Sequence, residues 1–369
     1  MKIAFDHQAF TSQNYGGISR YYTALVYELL QREQDVKVFS GFHRNNYVSK
    51  LPNGVAKGKR INKYPRKWGR FFHILNHTIS NVRMTAWQPD IIHETYYSKT
   101  PTLKSNAVRV TSAYDMIHEL FCDQFSPRDK TTQFKKSTFK RVDHIICISQ
   151  STKRDLMKFF DVDEKKITVV HLGVDLTAFQ KTPRVLPGFE KPFILFVGSR
   201  GGYKNFSGLL KAFASSKRLM TEFDIVSFGS DDFNAMERES IKQLGFKADQ
   251  VRQICGGDDI LASLYNQAVA FVYPSVYEGF GLPPLEAMSA GCPVISSNTS
   301  SMPEVVRNSG VYFDPSNIEA MKCSIENVVF SDSLQKDLIS LGYKNINDFS
   351  WQKCADETLY IYRKLTGKS

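Results

Sequence analysis

Glu278 and Glu286 stand with seven residues between them in the stretch YEGFGLPPLEAM. Gly279, Gly281, Pro283 and Pro284 argue for a loop that runs into a helix. Two carboxylates so placed accept hydrogen bonds from several sugar hydroxyls, and the N–H groups of a glycine loop and helix start attract anionic or hydroxyl-rich groups. The competing reading is structural: Glu286 complements the helix dipole and Glu278 is a solvated loop residue. A second constellation, GSRGGYKN, sets Arg200, Lys204 and Asn205 among Gly198, Gly201 and Gly202. Glycine lets the backbone come close and two cations neutralise a diphosphate; a surface turn with incidental charges is the alternative. Asp115, His118 and Glu119 form a third group, in which a carboxylate and a neutral imidazole orient a substrate or move a proton, unless His118 is an ordinary helix residue. Gly16 and Gly17 either let the backbone approach a phosphate or acceptor or make a tight turn.

Each constellation follows a short apolar run. Residues 271–273 stop at Pro274, 193–197 run into Gly198, 108–112 precede Asp115, and 2–6 precede the glycine pair. Residues 36–40, 89–93, 144–149, 167–170, 223–229, 251–255 and 293–297 read as further strands. Helical spacing covers 18–30, 258–268 and 349–362, Ser149 or Ser151 caps a helix through Leu156, and Glu304 opens another. Strands that alternate with helices in both halves predict an α/β protein of two doubly wound, parallel-sheet domains. Such sheets bind ligands at the carboxyl ends of their strands, so Glu278 is expected in a loop there and Glu286 in the first turn of the next helix. Residues 181–190, KTPRVLPGFE, are proline-rich and aperiodic and read as a linker between domains 1–180 and 191–348, with a last helical segment at 349–369.

The stretch from Phe271 to Glu304 resembles the signature of retaining glycosyltransferases of family four, in the GT-B class, through its paired glutamates and the following Pro293-Val294 strand. The resemblance extends over nearly the whole chain and implies the GT-B fold: two Rossmann-like domains facing a cleft, the first for the acceptor and the second for a nucleotide-sugar donor. The segment 349–369 would cross back to the first domain. The resemblance implies that Glu278 faces the donor sugar and Glu286 holds the ribose. Gly279, Phe280, Gly281 and Leu282 would lie near the donor phosphates, Arg200 and Lys204 would hold the diphosphate beside Asn205, and Gly17 would lie in the glycine turn. Two departures stand out. Ser199 occupies the usual arginine position, with Arg200 one place later, and Tyr114 precedes Asp115 where the family often has His-Asp, leaving His118 as the substitute. The implied reaction retains anomeric configuration, lets the leaving phosphate take the acceptor proton, and needs neither metal nor cofactor. VGSRGGYKN and FSWQKCADETL resemble bacterial polysaccharide and lipopolysaccharide O-antigen transferases, many of them mannosyltransferases. GDP-mannose is therefore the expected donor, and a saccharide or lipid-linked saccharide the expected acceptor.

Composition sets the outer bounds. With 369 residues, 42% of them hydrophobic, the chain can bury two cores. Its net charge of +11 points to an anionic partner, which charge alone does not specify. In 57–73, seven cations, Lys57, Lys59, Arg60, Lys63, Arg66, Lys67 and Arg70, alternate with Tyr64, Trp68, Phe71 and Phe72. That pattern suits either an anionic membrane surface or a solvated basic loop and helix. Lys130, Lys135, Lys136, Lys140 and Arg141 repeat the theme on an expected helix. Six scattered cysteines carry no zinc spacing, and Asp161-Val162-Asp163, formally a metal-binding pair, lies in a polar turn. No signal peptide or spanning segment is legible, so a cytoplasmic protein, peripheral at the inner face of the membrane, is expected. A nucleotide-sugar hydrolase or epimerase of the same fold, and a non-catalytic saccharide- or membrane-binding protein, are the competing functions; no nucleic-acid partner is expected.

Overall fold

Apolar runs without alternation, such as Phe193–Val197 and Ala270–Tyr273, are buried on both faces, as strands inside a parallel sheet must be. The computed structural model describes residues 1–12, 16–61, 69–103, 105–175, 179, 186–229 and 231–368. They fall into two units, Met1–Gly173 with Trp351–Ser369, and Val174–Ser350. Tyr15, the cations and aromatics at 63–68, and the first half of the expected linker, 181–185, lie outside the described residues.

The first unit carries β1 (Lys2–Phe5), β2 (Asp35–His43), β3 (Ala56–Arg60), β4 (Ile91–Glu94), β5 (Val108–Ala113), β6 (His144–Cys147) and β7 (Ile167–Val169). All pair in parallel in the order β3-β2-β1-β4-β5-β6-β7. Helices α1 (Gln8–Ser12), α2 (Gly17–Gln31) and α3 (Gly69–Trp87) lead the flanking layers. The closing helix, Trp351–Thr366, belongs to this unit because its inner face is apolar at helical spacing. Cys354, Ala355, Leu359 and Tyr362 are buried, Trp351 stacks on Tyr21 at 6.2 Å, and Arg32 donates to Asp356 at 2.5 Å. Each fully buried large apolar side chain contributes roughly 1.5–3 kcal/mol.

The second unit carries β8 (Phe193–Val197), β9 (Asp224–Phe228), β10 (Val251–Ile254), β11 (Ala270–Tyr273), β12 (Val294–Ser297) and β13 (Gly310–Phe313), again all parallel, in the order β10-β9-β8-β11-β12-β13. Its core joins Ile194, Phe196, Leu209, Phe213, Val272 and Ile295.

Three expectations shift. Residues 57–60 form part of β3 at a sheet edge, which neither sequence alternative for the basic stretch includes; their exposure removes the apolar pattern that marks a strand. The chain enters the second unit at Val174, whose N–H bonds the Phe349 carbonyl at 2.9 Å, ahead of the expected linker. The helix expected to hold Glu286 in its first turn starts at Leu282, because both prolines fit that turn, so Glu286 sits one turn deeper.

Candidate active site

In the second unit, β8 and β11 are neighbours while the connections from them run to opposite sides of the sheet. This is a topological switch point, where parallel α/β sheets bind ligands beyond the strands' carboxyl ends. Gly198, at φ +132°, turns the chain out of β8, and a 3-10 turn, Gly202–Lys204, follows. Asn205 adopts the left-handed conformation at φ +56°, and its amide donates to the carbonyls of Pro274 at 3.2 Å and Pro315 at 2.9 Å. One side chain thus fastens together the loops after β8, β11 and β13, and Val276 N–H to the Tyr203 carbonyl at 2.7 Å adds a second tie.

These ties aim Lys204 at the loop after β11. Its Nζ lies 2.6 Å from Glu278 Oε1 and 3.4 Å from Tyr273 Oη. Both charged side chains are mostly buried, 16% and 11% exposed, so the pair is worth more than a surface ion pair. Burial, with Glu278 alongside, holds the Tyr273 phenol well above its usual range and keeps it protonated. The Glu278 backbone is clamped as well: its N–H donates to Ser300 Oγ at 2.9 Å, and Ser301 Oγ donates to the carbonyls of Glu278 at 2.9 Å and Phe280 at 2.6 Å. Phe280 is buried against Phe349, 5.9 Å between ring centroids. Gly281 then takes φ +117°, a left-handed backbone that favours glycine, and a Cβ there would have to push aside the terminal methyl of Met302. Leu282 begins the helix that carries Glu286, which is buried and accepts a bond from Tyr265 Oη at 3.4 Å.

Arg200 follows a different course. Its guanidinium donates to Glu237 at 2.8 and 3.2 Å, reaches the carbonyls of Asp231 and Asp232, and lies 4.5 Å from the Phe233 ring centroid. The Arg200 guanidinium holds the Glu237 carboxyl below its ordinary range. The structure therefore unites Lys204, Glu278 and Tyr273, sets Glu286 on the adjoining helix, and gives the Arg200 side chain partners of its own.

In the first unit, Asp115 accepts from Ile117 N–H at 3.1 Å and lies 3.6 Å from Lys135 Nζ. Lys135, read in the sequence as part of an exposed basic stripe, is instead buried and donates to the Asp115 carbonyl at 2.7 Å and to Glu119 at 2.8 Å. His118 stacks on Phe125, 4.0 Å between ring centroids, with Asp129 3.9 Å from its Nε2. Gly17 opens α2, where a Cβ would meet nothing within 4 Å. Tyr114, in the position where the family often has histidine, is buried and donates to the Thr95 carbonyl at 2.9 Å. Asp163 caps a 3-10 turn by accepting from Lys165 N–H at 3.0 Å. Among the described residues no group of three or more His, Cys, Asp or Glu is placed to hold a metal ion, and no helix is long and apolar enough to cross a membrane.

Sequence reasoning missed Tyr273, Ser300, Ser301 and Lys135. Tyr273 reads in the sequence only as the end of a buried strand, and nothing in one chain's pattern shows that its hydroxyl meets a lysine 69 residues away. The serine pair just before Pro303 was a usable signal for a polar clamp at a helix start.

Residues 15–178 match glycosyltransferase family 4, and residues 180–345 match glycosyl transferases group 1. The chain belongs to the group 1, family 4 glycosyltransferases. This glycosyltransferase is 26% identical over 373 residues to O-antigen chain mannosyltransferase B of Escherichia coli, covering 95% of this chain and 96% of that one. Its structure is similar to sucrose-phosphate synthase from Thermosynechococcus elongatus, with TM-score 0.78, 20% identity and complete coverage of both chains. It is also similar to a glycosyltransferase from Rickettsia africae, with TM-score 0.75, 18% identity, and coverage of 100% of this chain and 99% of that one. The fold of the glycosyltransferase is GT-B, with one seven-stranded and one six-stranded parallel sheet.

Proposed function

We propose that this glycosyltransferase moves a hexose, mannose from GDP-mannose, to a saccharide or lipid-linked saccharide acceptor in polysaccharide or lipopolysaccharide synthesis, with retention of configuration. The Lys204–Glu278 pair at the switch point of the second unit carries this reading. An ammonium held against a carboxylate, beside a glycine turn, meets a sugar diphosphate with both needed polarities. Lys204 faces the phosphate as negative charge builds on it, and Glu278 accepts from sugar hydroxyls and balances the oxocarbenium character of the anomeric carbon. Glu286, one helical turn in from the loop, takes the ribose hydroxyls, and the backbone of Gly279 to Leu282 approaches the phosphates. Arg200 enters the reading as the support that keeps the loop after β8 in place through Glu237, with release to the diphosphate as its further role.

The first unit holds the acceptor; the backbone at Gly17 approaches the donor phosphate or the acceptor, and Asp115 and His118 orient the acceptor or the donor sugar or help move a proton. In this reading the leaving phosphate takes the acceptor proton and no metal or cofactor takes part. The mannosyltransferase relative supports the choice of sugar, and its O-antigen role supports the polymer. A cytoplasmic enzyme peripheral at the membrane is the corresponding location.

The test is thermal stabilisation of the purified protein by a panel of nucleotides and nucleotide sugars, with Lys204→Ala and Glu286→Ala beside the parent. A rise selective for guanine nucleotides, reduced in both variants, is expected. A rise selective for uracil nucleotides would replace the donor, and no shift with any nucleotide would overturn the reading.

A further inference from the structure

Helix α3 packs Met84 inward against Phe39 and Ile92 in the usual way, but it also carries large apolar side chains on its outward face. A helix on a sheet normally turns its apolar stripe inward and its polar stripe to water. Here Asn76, fully buried, exchanges bonds with the Phe42 backbone, accepting from its N–H at 2.7 Å and donating to its carbonyl at 2.8 Å. Ser80 one turn later donates to the Phe39 carbonyl at 3.0 Å. The inward side is thus partly polar, with its groups satisfied on β2. On the opposite side, by the 3.6-residue period, lie Phe71, Ile74, Leu75 and Val82. Phe71, Ile74 and Val82 are 54%, 67% and 63% exposed. Three large apolar side chains on one exposed helix face mark an interaction surface.

Its border identifies the partner. Arg83 Nη1 donates to the Lys57 carbonyl at 2.9 Å, which fastens α3 to the edge strand β3 and its Lys57, Lys59 and Arg60. A 360 Å³ groove beside it is lined by Lys37, Phe39, Lys57, Arg83, Ala86 and Trp87, without a carboxylate. Lys37 Nζ lies 4.4 Å from the Trp87 ring centroid. Among the described residues, none of Lys37, Lys57, Lys59 or Arg83 is in an ion pair with a carboxylate, although the chain has 37 acidic residues to offer. A second copy docking through the same face would bring like charges together. An anionic bilayer supplies both an apolar layer for the exposed side chains and negative headgroups for their cationic border.

We propose that the outward face of α3, with the cationic edge of β3, docks this protein on an anionic lipid surface. It rests on the peripheral location proposed above and names the surface that would serve it, Lys57, Lys59 and Arg60 with Phe71, Ile74 and Val82, and it requires no particular sugar. Exposed cations near such a surface contribute about five-fold each to partitioning.

The experiment is co-sedimentation of the full chain with vesicles of mixed phosphatidylglycerol and phosphatidylcholine, or of phosphatidylcholine alone, at low and high salt. Lys57→Glu/Lys59→Glu and Ile74→Ser/Val82→Ser are compared with the parent, with thermal melting to show that each is folded. Binding to the anionic vesicles alone, weakened by salt and reduced at least ten-fold in both folded variants, is expected. Absence of binding by the parent, or undiminished binding by both variants, overturns the proposal. So does a concentration-dependent dimer that Ile74→Ser/Val82→Ser abolishes, because the occupant is then a second copy. Nucleotide stabilisation is read on the same samples, so failure to bind lipid and failure of the transferase reading are separate results.

Discussion

Lys204 and Glu278 gain their importance from being paired in a mostly dry place. Removing one partner leaves the other's charge short of solvent, which costs more than the pair's net contribution to folding. Lys204→Ala is expected to lower turnover by about 10²–10³-fold, the usual scale for losing a fixed group that stabilises developing charge, while donor affinity falls less. Arg200→Ala is expected to show the opposite balance. Its guanidinium is 5% exposed and braces Glu237, so the loss is mainly in stability, about 1–3 kcal/mol, with a smaller fall in turnover. Initial rates of sugar release from the donor that stabilises the protein, together with urea midpoints for both variants, separate these outcomes. Turnover lost as severely in Arg200→Ala as in Lys204→Ala, without loss of stability, would return Arg200 to direct contact with the diphosphate.

Among the elements, the turn from Glu278 into the Leu282–Ser289 helix is the most constrained. Ser300 and Ser301, at the start of the Met302–Val306 helix, hold its carbonyls, and Met302 closes the space beside Gly281. Gly281→Ala places a side chain on a left-handed backbone and displaces the Met302 methyl, so a cost of about 1–3 kcal/mol, mostly from the backbone, is expected, with loss of activity beyond what the stability change explains. Ser301→Ala removes two hydroxyl bonds without strain and is expected to cost less. Thermal melting and donor turnover on the two variants rank them, and equal behaviour would show that the turn is not what positions Glu278.

For the whole molecule, the distribution of histidine makes the two units respond differently to acid. All eight histidines fall within Met1–Gly173. Burial lowers His7 to about 4, His93 to about 3 and His144 to about 4, each from an ordinary value of 6.5. Folded values below the unfolded one mean that the unfolded chain takes up these protons first as pH falls. Their contribution to stability is complete above about pH 6.5 and is lost progressively towards pH 3–4, by about 1.4 kcal/mol per pH unit per histidine. Among the described residues, Trp87 and Trp351 belong to the first unit, so tryptophan fluorescence reports on it. The tryptophan-detected urea midpoint is expected to fall steeply from pH 6.5 to 4.5. His144→Gln, which can keep the bond to Thr168, should flatten that slope by about one proton. An unchanged slope would mean that His144 is not held neutral.

The alternation of apolar runs with helical patterns established two doubly wound parallel sheets, because burial on both faces leaves its mark on every central strand. Spacing around glycine and proline likewise made the loops carrying Lys204 and Glu278 legible, and the family signature in those loops named the class of enzyme. Edge strand β3 escaped because an exposed strand has no apolar run to announce it. The proline pair hid the true start of the Leu282–Ser289 helix, since proline both breaks helices and begins them. What only the tertiary structure decided is which charges meet: Lys204 with Glu278 across 74 residues, Arg200 with Glu237, and Lys135 inside rather than on a basic stripe. Periodicity along a chain records how far each residue is from water, whereas partners between distant loops depend on strand order and side-chain direction, which local pattern does not encode.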